Sequence, residues 1–264
     1  MPANARDTFR IDIARAQALV DHAASLPSGS DPEHLLRDDV LRSGWMFAVG
    51  AMDAYFCDAY ADVIAATLIC KAREPGVVLP AFVLKIQVPV ATILEAYTAR
   101  PNWKWRMAAR AMLEEENALQ IETIRKWFNP FFDKPAKVFF EVVPAWLAVA
   151  PAPDRLFGTT NAVFSALVGK ARSDAHTEAR DAFHGRLTEM VQRRHDCIHA
   201  CDRPGNSPQP IAGPGTVGNV IRDITFVVEQ FNTHLDTEFR RWLACGGVPG
   251  STGFSNAAIQ QVGY

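Results

Sequence analysis

The chain has 264 residues, 48% of them apolar, and a formal net charge of −2 at pH 7. That apolar content can build a substantial core and excludes wholesale disorder. The near-neutral balance excludes a global attraction to nucleic acid or anionic lipid, so any polyanion must be gripped by a local patch.

Five cysteines, at 57, 70, 197, 201 and 245, follow no framework spacing, and the N-terminus lacks the basic-then-apolar pattern of a secretory signal. Both features predict free thiols and a cytoplasmic protein. The most apolar stretch, 45–70, carries Asp53, Asp58 and Asp62. That is too many acids for a lipid-embedded span, so no membrane association is expected.

Residues 6–26 place Phe9, Ile13, Ala16, Leu19 and Val20 at helical spacing and stop at "LPSGSDP". Asp31-Pro32 reads as a helix start. From there to 73 the pattern predicts a short helix followed by a long one, ended by "EPGVVLP" at 74–80. Helices are expected over 81–99 and 103–128. The stretch 129–173, cut by Pro130, Pro135, Pro144, Pro151 and Pro153, breaks into short pieces. Within it "KVFFEVVPAWLAV" is strand-like by propensity, though helical pieces fit as well. A long helix is expected from an N-cap at Ser173 to about Cys201. A loop or extended arm follows, "RPGNSPQPIAGPGTVG", then a last amphipathic helix over 216–243. The tail from Cys245 reads as a mobile extension. Six or seven helices and little strand make an all-α fold.

One run concentrates the polar chemistry: "VQRRHDCIHACDRP", residues 191–204. An imidazole titrates near neutrality and can take or give a proton, while a guanidinium stays charged and grips phosphate. Arg194 and His199 therefore suit cleavage of RNA, where the 2′-hydroxyl must lose a proton and the phosphorane must be stabilised. The spacing alone is weak evidence, because short motifs recur by chance. A helix C-terminus dressed with cations that complement the macrodipole is the bland alternative.

Helix geometry sharpens the question. Arg194 falls on the stripe of Leu187, Met190, Val191 and Ile198, where a permanent charge is expensive unless paired or placed at an interface. His199 lies roughly 140° away around the helix. One helix cannot easily aim both groups at one atom, but two copies of the chain about a two-fold axis could. In "RSGWMFAVGAMDAYFCDAYADVI", Asp53 sits on the stripe of Met46, Val49, Cys57, Tyr60 and Ile64, with Asp58 and Asp62 on the opposite, wet face. A buried acid needs a partner. Asp53 is therefore expected near Arg194, unless a Tyr, Trp or backbone group satisfies it.

His195 with His199 and Cys197 with Cys201 form two i, i+4 pairs, but they point to different faces of one helix. Four ligands cannot then surround one zinc, and no metal or other cofactor is assigned. "ARPNWKWRMAAR" interleaves Arg100, Lys104, Arg106 and Arg110 with Trp103 and Trp105, a pattern of cations and stacking rings that can grip single-stranded RNA. Tryptophans at a helix start also serve as core anchors, so both readings stand. Arg203, near the end of the main run, is counted with these cations as a candidate RNA contact.

The run "RRHDCIHACDRP" resembles the signature of HEPN-domain proteins: Arg, a polar residue, three further positions, then His. Arg194 to His199 fits it, and Arg193 fits the form with one more spacer. "LRSGWMFAVGAMDAYFCDAY" resembles the family's first core helix. "KIQVPVATILEAYTARPNWKWRMAARAMLEEENALQIETIRKWF" and "CDRPGNSPQPI…VIRDITFVVEQFNTHL" resemble the middle section and closing part of its RiboL-PSP-HEPN branch. The likeness spans roughly 38–243, leaving 1–37 as an N-terminal helix and linker and 244–264 as a flexible tail; the Pro-rich stretch 129–173 is not clearly covered.

The resemblance implies an α-helical bundle with additional helices, dimerising with the two motifs facing one another. It also implies metal-independent endoribonuclease activity that leaves a 2′,3′-cyclic phosphate and a 5′-hydroxyl. His199 would move the proton, Arg194 would clamp the phosphate, and His195 would orient the substrate or its neighbours. Asp53, Arg193 and Asp202 would support them. Such proteins often act as toxins or anti-phage effectors controlled by an antitoxin or other defence-system partner. The alternative within the same resemblance is a non-catalytic module that binds RNA, a nucleotide or a partner protein.

Overall fold

The structure, a computed structural model, describes residues 3–27, 31–85, 109, 113, 119–139, 141–149, 152–203 and 209–247. The fold is all-α. Among the described residues the helices are, in chain order, α1 (Ala3–Ser25), α2 (Asp31–Arg73), α3 (Ile121–Phe128), α4 (Val143–Leu147), α5 (Asp154–Phe157), α6 (Asn161–Ala166), α7 (Gly169–Ala200) and α8 (Pro214–Ala244). Single 3₁₀ turns lie at Val83–Lys85, Asn129–Phe131 and Lys134–Ala136. No helix among the described residues is long and apolar enough to cross a membrane.

The chain divides into two compact units, one of residues 7–54 and 142–230, the other of 1–6, 55–141 and 231–264. In the first, α1 buries Phe9, Ile13, Ala16 and Val20, the stripe its spacing predicts, with Leu19 half-buried at its edge. Gly44 of α2 lets the backbones approach. A methyl group there would meet Val20 Cγ2 at 3.3 Å, the Ala16 carbonyl at 3.5 Å and Val217 Cγ1 at 3.6 Å. Phe183 of α7 stacks on Phe157 of α5, with ring centroids 5.7 Å apart, and meets Trp146 of α4 edge-on at 5.9 Å. The short helices of the Pro-rich stretch thus serve as covers for α7, each bringing one large ring.

This unit also buries Asp223 completely. Its Oδ2 accepts from Arg155 Nε and Arg186 Nε, both at 3.1 Å, so the buried carboxylate is neutralised by two guanidinia.

In the second unit, Phe231 meets Phe56 and Phe128 edge-on with centroids 5.0 and 4.8 Å apart, Phe56 and Phe128 lie tilted at 6.4 Å, and Phe139 joins them. Tyr60 stacks on Trp127 at 4.8 Å. His234 is tucked beside Phe132 and donates from Nε2 to the Ala136 carbonyl at 2.6 Å. Burial, set only partly against that bond and Glu238 and reinforced by Arg241, holds this imidazole below its ordinary value of 6.5. The unfolded chain therefore takes up a proton near pH 6.5 while the native state resists it, so stability is complete above that pH and falls below it. Thermal midpoints are expected to drop between pH 7.5 and 5.5, and His234→Gln should flatten that drop. An unchanged slope in the variant would overturn the assignment.

Several sequence expectations need correction. Residues 31–73 form one continuous helix, not two, because Gly44 is a packing position and no proline interrupts the run. Asp62 is buried, at 1% exposure, because α2 is covered on every side there: Ala61, Val63, Ile64, Ala65 and Ala66 are buried too. α7 begins at Gly169, four residues before Ser173, and a Lys170–Asp174 pair at 2.7 Å supports its first turn. "KVFFEVVPAWLAV" contains no strand among its described residues. Pro144 sits in the first turn of α4, where its missing N–H costs nothing. Of the helices expected over 81–99 and 103–128, α3 lies at the end of the second and Val83–Lys85 forms a 3₁₀ turn. The remainder lies mostly outside the described residues.

Candidate functional site

The run 191–203 forms the last turns of α7 and its C-terminal cap. The helix stops where Cys201 and Asp202 turn left-handed, at φ +49° and +57°. Side chains other than glycine and asparagine adopt this region rarely. Here the turn is held by hydrogen bonds: the N–H groups of Cys201 and Asp202 both reach the Asp196 carbonyl, the latter at 2.9 Å.

The Asp202 side chain is completely buried, and its Oδ2 accepts from Arg42 Nε of α2 at 2.7 Å and Arg193 Nη2 at 2.8 Å. Both arginines continue to the Gln209 carbonyl, at 3.0 and 3.2 Å, and Gln209 N–H returns to the Asp202 carbonyl at 2.8 Å. The Arg193 guanidinium also lies over the Trp45 ring, 5.4 Å from its centroid, and Trp45 Nε1 donates to the Met190 carbonyl at 3.0 Å. One carboxylate thus ties together the end of α7, the start of α2 and the chain returning at 209–210.

Two arginines satisfy the sequence spacing, and the structure separates them. Arg193 is engaged by Asp202. Arg194 is half-buried, beyond the point where the apolar stripe of Leu187 and Met190 gives way, and Ile198, one turn on, is 48% exposed. Asp53 of α2 is half-buried, and Arg194 is near enough for its charge to be felt there. Burial raises the Asp53 carboxyl above its ordinary value, and Arg194 opposes that rise. The two charges that sit on apolar stripes in the sequence are electrostatic neighbours in the fold.

His195 and His199 are both exposed, and their rings tilt against each other with centroids 4.3 Å apart. They share a helix face, as i, i+4 spacing dictates. Asp196, between them in sequence, accepts from Gln192 Nε2 at 2.8 Å, which anchors a neighbouring face.

The cysteines play a different part. Cys197 is half-buried beside Asp202, and burial, then the Asp202 charge, pushes its thiol up to about 11. Metal binding needs the thiolate, which such a site disfavours. Among the described residues no three His, Cys, Asp or Glu side chains converge as metal ligands.

Arg203 is exposed at the cap, next to the engaged Asp202. Arg100, Lys104, Arg106 and Arg110 lie outside the described residues. Arg42 escaped the sequence reading altogether. Its only signal was a cation three residues before Trp45, at the start of a predominantly apolar run.

No family model matches the chain, and neither the curated proteins nor the solved structures include a match. The HEPN resemblance accordingly rests on the sequence patches alone.

Proposed function

We propose that the chain is a metal-independent endoribonuclease whose site is completed by a second copy of itself, each copy presenting the end of α7. The supporting observation is the division of labour at that end: Arg193 is tied into the fold by Asp202, while Arg194 stays half-exposed and His195 and His199 face solvent as a pair. A helix end that only complemented its macrodipole would have no use for so specific a separation of one arginine from its neighbour.

In this reading a neutral His199 imidazole takes the proton of the RNA 2′-hydroxyl. The 2′-oxygen attacks the adjacent phosphorus as the bond from phosphorus to the 5′-oxygen breaks. A protonated imidazole, supplied by the second copy, gives its proton to the departing oxygen. No water is consumed, and the products are a 2′,3′-cyclic phosphate and a 5′-hydroxyl. Arg194 carries the charge that develops on the phosphorane, where a planar fork of donors serves better than a point charge. His195, against His199, orients that ring or the substrate. Arg203 and the cations of the 100–110 stretch would hold the RNA backbone. Use as a toxin or defence effector, held in check by a partner protein, fits an activity that needs no cofactor.

The test is incubation of the purified protein with a 5′-labelled single-stranded RNA in EDTA. Cleavage with cyclic phosphate ends is expected. Products with 3′-hydroxyl ends, or no cleavage at any protein concentration, would overturn the proposal.

A further inference from the structure

We infer that Arg42, on a helix far from the motif in sequence, is a positioning residue for this site and acts through Asp202; the inference rests on the nuclease reading. The last turn of α7 has little apolar anchorage of its own. Met190 is the last residue of that helix in the buried core, and beyond it Ile198 is 48% exposed. A helix end so poorly packed frays unless something pins it.

What pins it is polar. Asp202 lies three residues after His199 and is wholly enclosed, and Arg42 and Arg193 share its Oδ2. Arg193 belongs to α7 itself, so its bond to Asp202 staples the helix to its own cap, while its guanidinium rests on the Trp45 ring of α2. Arg42 comes from α2, and its side chain is 12% exposed. It carries the charged tie from Asp202 to another helix, beside the Trp45 contacts one turn along α2, and from its other nitrogens it also holds Asp39 at 2.9 Å and the Gln209 carbonyl at 3.0 Å. The left-handed pair Cys201–Asp202 stores the turn that aims Asp202 inward, and the two guanidinia keep it there.

The Arg42 guanidinium of α2 therefore helps to set the disposition of His195 and His199, at the cap that follows them. A small misplacement of such groups is costly to chemistry even where substrate still binds.

The experiment compares the full-length wild type with Arg42→Gln and Arg42→Lys. Amide hydrogen exchange is measured without RNA, and kcat and KM are measured on a short RNA. Arg42→Gln is expected to speed exchange over 195–203 while leaving 176–190 protected, and to lower kcat by about tenfold or more with KM changed only slightly. Arg42→Lys keeps a cation near Asp202 without the fork, and should recover part of the rate; it also carries the comparison if the glutamine variant fails to fold. An unchanged kcat in a variant with loosened 195–203 would overturn the positioning role and leave the nuclease reading intact. Unchanged exchange over 195–203 would overturn the clamp. A wild type that cleaves nothing removes the nuclease reading, and this role with it.

Discussion

His199→Ala and Arg194→Ala are each expected to lower RNA cleavage by about 10²–10⁴-fold, the range general-base and charge-stabilising groups supply. The physical ground for expecting a functional rather than a structural loss is exposure. The His199 ring meets solvent and the His195 ring, so its removal creates no cavity. Arg194 is half-buried, and its charge is felt at Asp53, whose carboxyl should rise further above its ordinary range once that charge is gone. The Arg194 variant should therefore lose a little stability near neutral pH, where a half-buried carboxylate is left without its neighbour. The His199 variant should lose almost none. Thermal melts run beside the cleavage assays separate the two effects. Arg194→Lys should restore only part of the rate, because a point charge cannot bridge two phosphate oxygens. Cleavage that persists in a folded His199 variant would contradict the assigned role.

Asp223→Ala is expected to cause the largest loss of stability, on the order of 3–5 kcal/mol. Asp223 is 0% exposed and answers to both Arg155 and Arg186. Its removal leaves the 17%-exposed Arg186 guanidinium without its buried acceptor and frees Arg155, at 36% exposure, to find water. Relaxation of Arg155 places the expected value toward the lower end. Set against the 5–15 kcal/mol typical of a domain, such a loss should shift the urea midpoint plainly. A midpoint change worth less than about 1 kcal/mol would show that the pairs merely offset their own desolvation.

Helices with one apolar stripe were readable from spacing. The stripe of Phe9, Ile13, Ala16 and Val20 is buried as its period demands, and α8 covers the stretch its pattern marks out. Where α2 is enclosed on all sides, periodicity carries no sign of which face is wet, and Asp62 was misassigned for that reason. The strand propensity of "KVFFEVV" lost to a tertiary requirement. Its residues pack as turns around Phe139 and a short helix, with no neighbouring strand among the described residues.

The candidate site shows the same split. The pairing of two misplaced charges, Asp53 and Arg194, could be argued from stripes alone, because a charge on an apolar seam needs an answer. The Asp202 clamp could not. It depends on two consecutive left-handed residues, Cys201 and Asp202, and although aspartate tolerates that region better than most side chains, a cysteine before it gives no such signal. Nor does sequence say which of Arg193 and Arg194 is tied into the fold: adjacent residues differ by about 100° around a helix, and the position of Asp202 decides which one is engaged.

A dilution series tests the composite site most directly. Cleavage rate per protomer is measured on one RNA as the protein is diluted, with the dimer fraction followed by sedimentation at the same concentrations. If two α7 ends build one centre, the rate per protomer should fall in step with the dimer fraction and vanish as the protein becomes monomeric. A rate per protomer that stays constant through that range would contradict a site shared between two copies.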